Sequence, residues 1–276
     1  MPDLSSTVAL VSGASRGVGR GVALALGEAG ATVYVTGRTV GRRARGGVPG
    51  TIDVTASDVS RAGGRGVPVQ TDHTRVEDVR ALVRRIEADA GRLDVLVNAA
   101  WGGQAGGDVR PFWEEPLAAW DATVRAGVWS ALLTTRFAAP LLTRARGLVV
   151  TVSFGDRGRY TGRLGADLTT AALERFAFGT ARDFEPRGVT SVALSPGFVR
   201  TERTLAAFGA SERRWARTPE LEGSERPLYA GRAVASLAAD PGVLEQTGRT
   251  LRVADLARRY GFTDVDGRRP ESSGAL

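Results

Sequence analysis

The stretch that decides the fold of this chain is SGASRGVG, at residues 12–19. It follows a short β-branched run at 7–12 and opens a helical pattern at 18–29. Glycines at such a junction let the backbone turn tightly and approach a phosphate, and the helix N-terminus then stabilises the anion. The strand–turn–helix context predicts a nucleotide-binding turn rather than a turn that is merely rich in glycine.

Short apolar runs alternate with longer helical patterns along the rest of the chain. The predicted strands are 7–12, 31–36, 66–71, 93–98, 147–153 and 189–194, and the main predicted helices are 18–29, 76–90, 116–142 and 165–183. Almost continuously apolar strands are typical of parallel sheets covered on both faces. Alternating strands and helices predict right-handed crossovers. We expect a single-domain α/β fold with a Rossmann-type doubly wound parallel sheet.

Composition excludes several classes of function. No apolar run approaches the roughly 18 residues that a membrane helix needs, and no signal-peptide pattern is visible, so we expect a cytoplasmic protein. With no cysteine and one histidine among 276 residues, disulfides are excluded and a metal site is not expected. The net charge of +7 comes from arginines interleaved with acids, with one tight cluster at 42, 43 and 45. We therefore expect no nucleic-acid partner.

No lysine occurs anywhere in the chain, so all 37 of its Lys+Arg positions are arginine. Asparagine and histidine each occur once, whereas alanine, glycine and arginine are abundant, which is the usage of a G+C-rich genome. Such codon bias explains most exchange of lysine for arginine. It does not explain the loss of a catalytic lysine, because arginine stays protonated and cannot replace an ammonium whose pKa matters.

Two further segments accompany the glycine-rich turn: LDVLVNAA at 93–100 and SPGFVRT at 195–201. With the GxxxGxG spacing of the turn, their order and distances resemble the short-chain dehydrogenase/reductase (SDR) family over about residues 5–255. The resemblance implies a Rossmann fold, a nicotinamide cofactor and a small-molecule substrate. It also implies that the two long helices at about 116–142 and 165–183 pair across a two-fold axis in a homodimer or homotetramer. The apolar residues expected to support that pairing are Leu132, Leu133, Phe137, Leu173, Phe176 and Phe178.

The resemblance also assigns the residues that would bind the cofactor. They are Gly13, Ser15, Arg16, Gly17, Val18, Gly19, Arg38, Asp72, Asn98, Ala99, Pro196, Gly197, Val199 and Thr201. The second strand ends in Thr36-Gly37-Arg38, where NAD-preferring members place an acidic residue. Because Arg38 can bind a 2′-phosphate bidentately, we expect NADP(H) rather than NAD(H).

The family's proton-transfer residues are missing. A tyrosine serves as acid and base, a lysine four residues later lowers its pKa and holds the nicotinamide ribose, and a serine and an asparagine assist. Alignment of ADLTTAALERF, at residues 166–176, with the family's YGASKAALERF places Ala166 at the tyrosine and Thr170 at the lysine. Phe154 then falls at the catalytic serine and Gly127 at the asparagine.

Two residues remain as candidates for catalysis. A one-residue shift of the loop would bring Ser153 to the serine position, and its separation of 13 residues from Ala166 matches the family's interval. Tyr160 follows the fifth strand, and the neighbouring Arg159 and Arg163 would favour its phenolate. His73, beside Asp72, is interpreted as a histidine of a surface loop.

The region at 202–227 corresponds to the family's substrate lid. This region favours a substrate with an apolar or aromatic body and an anionic group. The residues that suggest it are Leu205, Phe208 and Trp215, which lie among Arg203, Arg213, Arg214 and Arg217. Trp101, Trp113 and Trp129 are further candidates for that pocket. We divide the chain into an SDR-like domain at 1–263 and a flexible tail at 264–276.

Three functions are compatible with these residues. The first is an NADP(H)-dependent oxidoreductase with an unusual proton donor, acting on an apolar or aromatic carbonyl or enone. The second is a non-redox SDR-like enzyme, such as a cyclase, dehydratase or isomerase of secondary metabolism. The third is a catalytically inactive ligand-binding protein. The intact cofactor motifs favour the first, and the missing lysine favours the second.

Overall fold

The computed structural model describes residues 2–41, 48–102, 110–154, 160 and 162–271. All of the predicted strands lie inside these ranges. The arginine cluster at 42–45, residues 155–159 and the last part of the predicted tail, 272–276, lie outside them.

Seven parallel strands within the described ranges form one sheet, in the order β3-β2-β1-β4-β5-β6-β7. The strands are β1 (Val8–Val11), β2 (Thr32–Gly37), β3 (Arg65–Gln70), β4 (Val95–Asn98), β5 (Leu148–Val152), β6 (Thr190–Ser195) and β7 (Thr250–Arg252). The strand order reverses between β1 and β4, and the carboxyl ends of strands at such a switch point are where open α/β sheets bind ligands. The predicted Rossmann-type fold is confirmed.

Helices cover both faces of the sheet. They are α1 (Gly17–Glu28), α2 (Ile52–Arg61), α3 (Val76–Ala90), α4 (Leu117–Val124), α5 (Ser130–Ala145), α6 (Leu164–Phe184), α7 (Glu202–Ala207), α8 (Pro227–Ala239) and α9 (Val253–Tyr260). Successive strand residues point to opposite faces, so Val11 belongs to the apolar cluster under α1 and α8, whereas Leu10 belongs to the cluster under α3 and α5. In a strand that is buried on both faces, polar and apolar residues therefore do not alternate along the sequence.

The structure differs from the sequence prediction in several elements, and helices α2 and α9 have no predicted counterpart. The helix predicted at 116–142 is two helices, α4 and α5, joined by a π-helical segment at Arg125–Trp129. π-Helical turns are rare and leave no simple periodic signal in a sequence. The seventh strand was missed because β7 has only three residues and begins and ends with polar ones.

The predicted tail is partly folded against the domain. Asp264 is buried, and its carboxylate accepts a hydrogen bond of 2.9 Å from the backbone N–H of Arg226. The guanidinium of Arg268 lies 5.0 Å from the centre of the Trp215 ring. The segment at 264–271 is therefore part of the domain rather than the flexible tail that its composition suggested.

Candidate cofactor and substrate site

The glycine-rich turn connects β1 to α1 at the switch point of the sheet. Gly13 and Gly17 have φ values of +67° and +57°, which side-chain-bearing residues rarely adopt. A Cβ on Gly13 would also lie 2.7 Å from the Cα of Ala100, at the end of β4. The backbone N–H of Ala14 donates to the carbonyl of Thr36, at 2.9 Å. The turn is thus fixed between the carboxyl ends of β2 and β4.

The start of α1 already holds an anionic group. The backbone N–H of Gly17 donates to Oε2 of Glu202, at 2.7 Å. Arg16, at the N-cap position, is extended and supplies no side-chain cap. Because the first N–H groups of a helix have no partner within the helix and carry partial positive charge, this is where phosphates also bind. The contact shows that the N-terminus of α1 accepts an anion in this geometry.

Arg16 itself reaches sideways from the turn. Its Nη2 donates to the carbonyl of Gly50 at 3.2 Å and lies 3.5 Å from Oγ1 of Thr39. Burial lowers its pKa, and the charge of Arg203 acts in the same direction. Arg16 therefore lies at the edge of the turn, where a bound phosphate would neutralise its positive charge.

An open cleft of about 700 Å³ lies beyond the carboxyl ends of β2 and β3. Arg38, which is exposed, and Asp72 both line it, together with Arg75 and Asp78. Burial opposes ionisation of Asp72, but hydrogen bonds from Thr74 and the charge of Arg38 hold its pKa below the usual value. The sequence-predicted pair Arg38 and Asp72 is therefore brought together at one end of the site.

His73 is not on the surface. The side chain is buried between β2 and α5, with Nε2 2.7 Å from Oγ1 of Thr36 and Nδ1 2.8 Å from Oγ1 of Thr134. Burial lowers its pKa to about 4. The prediction that His73 lies in a surface loop was wrong. The residues on either side of it in the sequence are polar, which is typical of a surface loop, but its ring points inward under α5.

The end of β4 is connected to the turn through Asn98 and Ala99. The side-chain N–H of Asn98 donates to Oγ1 of Thr135 at 3.0 Å, and the backbone N–H of Ala99 donates to Oγ of Ser12 at 3.1 Å. Asn98 is buried, so its amide fixes β4 against α5. Ala99, next along the chain, is only partly buried.

The segment PGFVRT follows β6 and leads into α7. Val199 forms a parallel backbone bridge with Glu225, and Oγ1 of Thr201 accepts a hydrogen bond of 3.1 Å from the backbone N–H of Thr204. The buried guanidinium of Arg200 stacks 3.9 Å from the centre of the Trp215 ring. Trp215 of the lid, which is partly buried, is therefore packed against the Arg200 guanidinium.

The end of β5 carries no polar group open to the cleft. Ser153 is fully buried, and its hydroxyl donates to Oε1 of Glu174 in α6, at 3.2 Å. The next residue, Phe154, is exposed and meets the Trp101 ring edge-on, with 5.6 Å between the ring centres. The expected serine position is thus an apolar wall.

The positions that the alignment assigns to the tyrosine, the lysine and the asparagine carry small side chains or none. Ala166 and Thr170 lie one turn apart in the first half of α6, and Thr170 is buried. Gly127 lies within the π-helical segment, where an added Cβ would be 2.7 Å from Cγ2 of Thr169. A larger residue at 127 therefore has no room while Thr169 keeps its methyl group.

Tyr160 is exposed over 61% of its surface. Arg159 lies outside the described residues, and Arg163 begins the approach to α6. The structure therefore does not bring Tyr160 and Ser153 together, since one is on the surface and the other is buried under α6.

Within the described ranges, no helix is both long and apolar enough to cross a membrane. The same ranges contain no group of three His, Cys, Asp or Glu side chains that could hold a metal ion.

The contact of Glu202 with Gly17 is the feature of this site that the sequence did not predict. Glu202 directly follows the PGFVRT segment but lies 185 positions from Gly17, so no local pattern indicates the contact. The only signal was the absence of an acidic or capping residue at the start of α1.

Comparison with known proteins gives a consistent family. The model of the family described as "short chain dehydrogenase" matches residues 7–209. Dehydrogenase/reductase SDR family member 1 of Mus musculus is 37% identical over 276 residues, and that of Homo sapiens 36% over 277. Both alignments cover 96% of this chain and 85% of the relative.

Solved structures share the fold. A short chain dehydrogenase from Mycobacterium thermoresistibile superposes with a TM-score of 0.82 at 23% identity, covering 98% of this chain and 93% of the other. A short-chain dehydrogenase/reductase of unknown function from Caenorhabditis elegans, solved with cofactor, gives 0.75 at 21% identity, covering 91% and 94%.

Proposed function

The chain belongs to the short-chain dehydrogenase/reductase family of oxidoreductases, and we propose that it uses NADP(H) to act on an apolar or aromatic carbonyl or enone. The proton donor would not be the family's tyrosine. The observation that carries this proposal is the anion-binding N-terminus of α1, at Gly17. A separate observation, the cleft that Arg38 and Asp72 line beyond β2 and β3, supports it. Family membership implies a nicotinamide dinucleotide; the preference for the 2′-phosphate rests on Arg38.

The two ends of the site fit the cofactor unequally. At the phosphate end, Gly13 and Gly17 allow close approach of the backbone, and Gly17 offers an N–H that already binds a carboxylate. At the nicotinamide end, Thr170 cannot supply the charge of the missing lysine. We expect the dinucleotide to be held mainly through its adenosine and phosphates.

The residues around the reacting centre favour an apolar substrate. A bound nicotinamide supplies or accepts a hydride. Phe154 and Trp101, whose rings meet edge-on, would hold an aromatic or alkyl body beside it. Because Ala166 has no proton to give, the proton would come from water, from the substrate or from Tyr160, whose loop follows β5.

A second function is favoured by the same apolar wall. If Phe154 and Trp101 bind a substrate where the nicotinamide would otherwise react, the chain is a non-redox cyclase, dehydratase or isomerase. A catalytically inactive ligand-binding protein is the third possibility.

We place the substrate lid at 202–227, within a domain that begins near residue 1. We also place the protein in the cytoplasm, and the absence of cysteine supports that location.

Self-association through α4, α5 and α6 is part of the proposal. Leu133 and Leu173, which the sequence suggested for this role, are buried in the subunit's own core. Leu132, which the sequence also suggested, is 41% exposed, and Leu117 and Leu168 are exposed by 84% and 52%. Such apolar side chains are commonly covered in a two-fold dimer.

The test of the proposed function is titration of the purified protein with NADPH and NADH, followed by cofactor fluorescence. Saturable binding with a preference for NADPH supports the oxidoreductase. The absence of any binding would eliminate it and leave the non-redox enzyme or the ligand-binding protein.

A further inference from the structure

We propose that Glu202 is a latch: its carboxylate occupies the phosphate position at the start of α1, and a dinucleotide binds only by displacing it. The inference rests on the proposed cofactor binding. It concerns a residue outside the motifs that predicted that binding.

The latch is built where α1 has no cap of its own. Arg16 at the N-cap is extended, with φ of −163° and ψ of 177°, and its side chain caps nothing. No acidic residue lies in the first turn. The N–H of Gly17 is instead bound at 2.7 Å by a carboxylate from another part of the chain. A charged acceptor at this distance on a helix N-terminus is a strong hydrogen bond.

The carboxylate and a phosphate cannot occupy this position together. Both require the N–H of Gly17, and both are anionic. The methyl of Thr201 lies 3.4 Å from where a Cβ on Gly17 would be, so the segment that carries Glu202 is packed directly against the turn. Arg16 experiences the charges of both Arg203 and Glu202. Arg16, which is not part of the lid, stays beside the position when Glu202 leaves and can neutralise the incoming phosphate.

Displacement of Glu202 acts on the lid. Glu202 is the first residue of α7, and the helix ends at Ala207. The next residue is Phe208, whose ring lies 6.5 Å from that of Phe198. The start of the lid is therefore held on the cofactor position when no dinucleotide is bound. Cofactor binding would release the lid, so the substrate would enter a site already loaded with cofactor.

The experiment measures dissociation constants of NADPH, NADH and adenosine 2′-monophosphate for the full chain and three variants. Glu202→Gln keeps the shape and removes the charge, and Glu202→Ala removes the side chain. Glu220→Gln, on an exposed lid carboxylate, is the matched control. Thermal melts show whether each variant is folded.

We expect both Glu202 variants to bind the preferred dinucleotide about 3- to 30-fold more tightly, the range expected for a charge at a helix N-terminus. Glu220→Gln should match the unmodified protein. Affinity for adenosine 2′-monophosphate should not change, because this ligand has no pyrophosphate to compete with Glu202.

Other outcomes separate the latch from the proposed function. If the unmodified protein binds a dinucleotide and the Glu202 variants bind it equally or more weakly, the latch is wrong and cofactor binding stands. If only the Glu202 variants bind, the latch is supported and the free protein is closed to cofactor. If no folded variant binds NADPH or NADH, the latch and the proposed cofactor binding are both wrong.

Discussion

Cγ2 of Thr169 lies 2.7 Å from the position that a Cβ on Gly127 would occupy. A side chain at position 127, which the alignment assigns to the family's asparagine, would therefore collide with α6. Restoring that residue as Gly127→Asn should destabilise the fold by about 1–3 kcal/mol, because overpacking a buried contact forces the neighbours apart. Urea unfolding measures the loss.

The matched control for this prediction is the pair Gly127→Asn with Thr169→Ser. Serine keeps the hydroxyl and removes the methyl, so it should recover most of the lost stability. A double variant no more stable than Gly127→Asn alone would show that the methyl contact is not the cause.

His73 makes stability depend on pH in a defined direction. Its pKa is lowered to about 4 by burial, from 6.5 in the unfolded chain. Between pH 4 and pH 6.5 the unfolded state binds more protons than the folded state. The contribution of His73 to the free energy of unfolding is therefore fully present above about pH 6.5 and is lost as the pH falls towards 4. The full effect is about 3 kcal/mol. The ring of this single histidine should titrate near pH 4 by NMR.

Carboxylates also titrate in this range, so the comparison requires a variant. Asp72 and Asp78 raise the pKa of His73, and burial raises that of Glu225 to about 8, which gives the opposite slope. The His73→Gln variant retains those carboxylates, so its free energy of unfolding should fall less steeply as the pH is lowered from 6.5 to 4. Identical slopes in the two proteins would contradict the assignment.

Arg38 should decide which dinucleotide binds. Arg38→Asp should weaken NADPH binding about 10- to 100-fold, since a charge-assisted contact is replaced by repulsion, and should spare NADH. Arg84→Asp, on the exposed face of α3, is the control for net charge. Equal affinities of the unmodified protein for NADPH and NADH would remove the basis for this prediction.

Tyr160 is the tyrosine that the loop after β5 presents to solvent. If it supplies the proton, Tyr160→Phe should lower turnover by about two orders of magnitude and leave the cofactor dissociation constant unchanged. Single-turnover measurement separates these effects.

The double variant Ala166→Tyr with Thr170→Lys should not improve activity on the native substrate. A silent Tyr160→Phe together with strong ketoreductase activity in the double variant would identify a recently lapsed reductase.

Leu132 lies on the exposed side of α5, where we propose that subunits pair. Leu132→Arg should turn a dimer or tetramer into a monomer of 29.0 kDa, because a charge would be buried at the two-fold axis. Leu244→Arg, equally apolar and exposed but beside β7, should leave the assembly intact. Sedimentation of the unmodified protein as a monomer at micromolar concentration would refute pairing.

The sequence predicted the fold through local patterns that the structure confirms. Six of the strands were expected at nearly their observed positions because a two-sided burial pattern, such as that of Leu10 and Val11, requires an unbroken apolar run. The contacts that it could not predict join distant residues. His73 meets Thr36 and Thr134 only after three elements have packed, and Glu202 meets Gly17 only after the sheet is complete.

The stacking of Arg200 and Arg268 around the Trp215 ring has a consequence for protein engineering. The lid is not a separable module, since its anchor is shared between the segment after β6 and the last described stretch of the chain. A chimera that imports the lid of a relative, in order to change substrate range, must therefore import the partners of its residue 215 at positions 200 and 268 as well. Exchange of 202–227 alone would leave two arginines facing a foreign side chain.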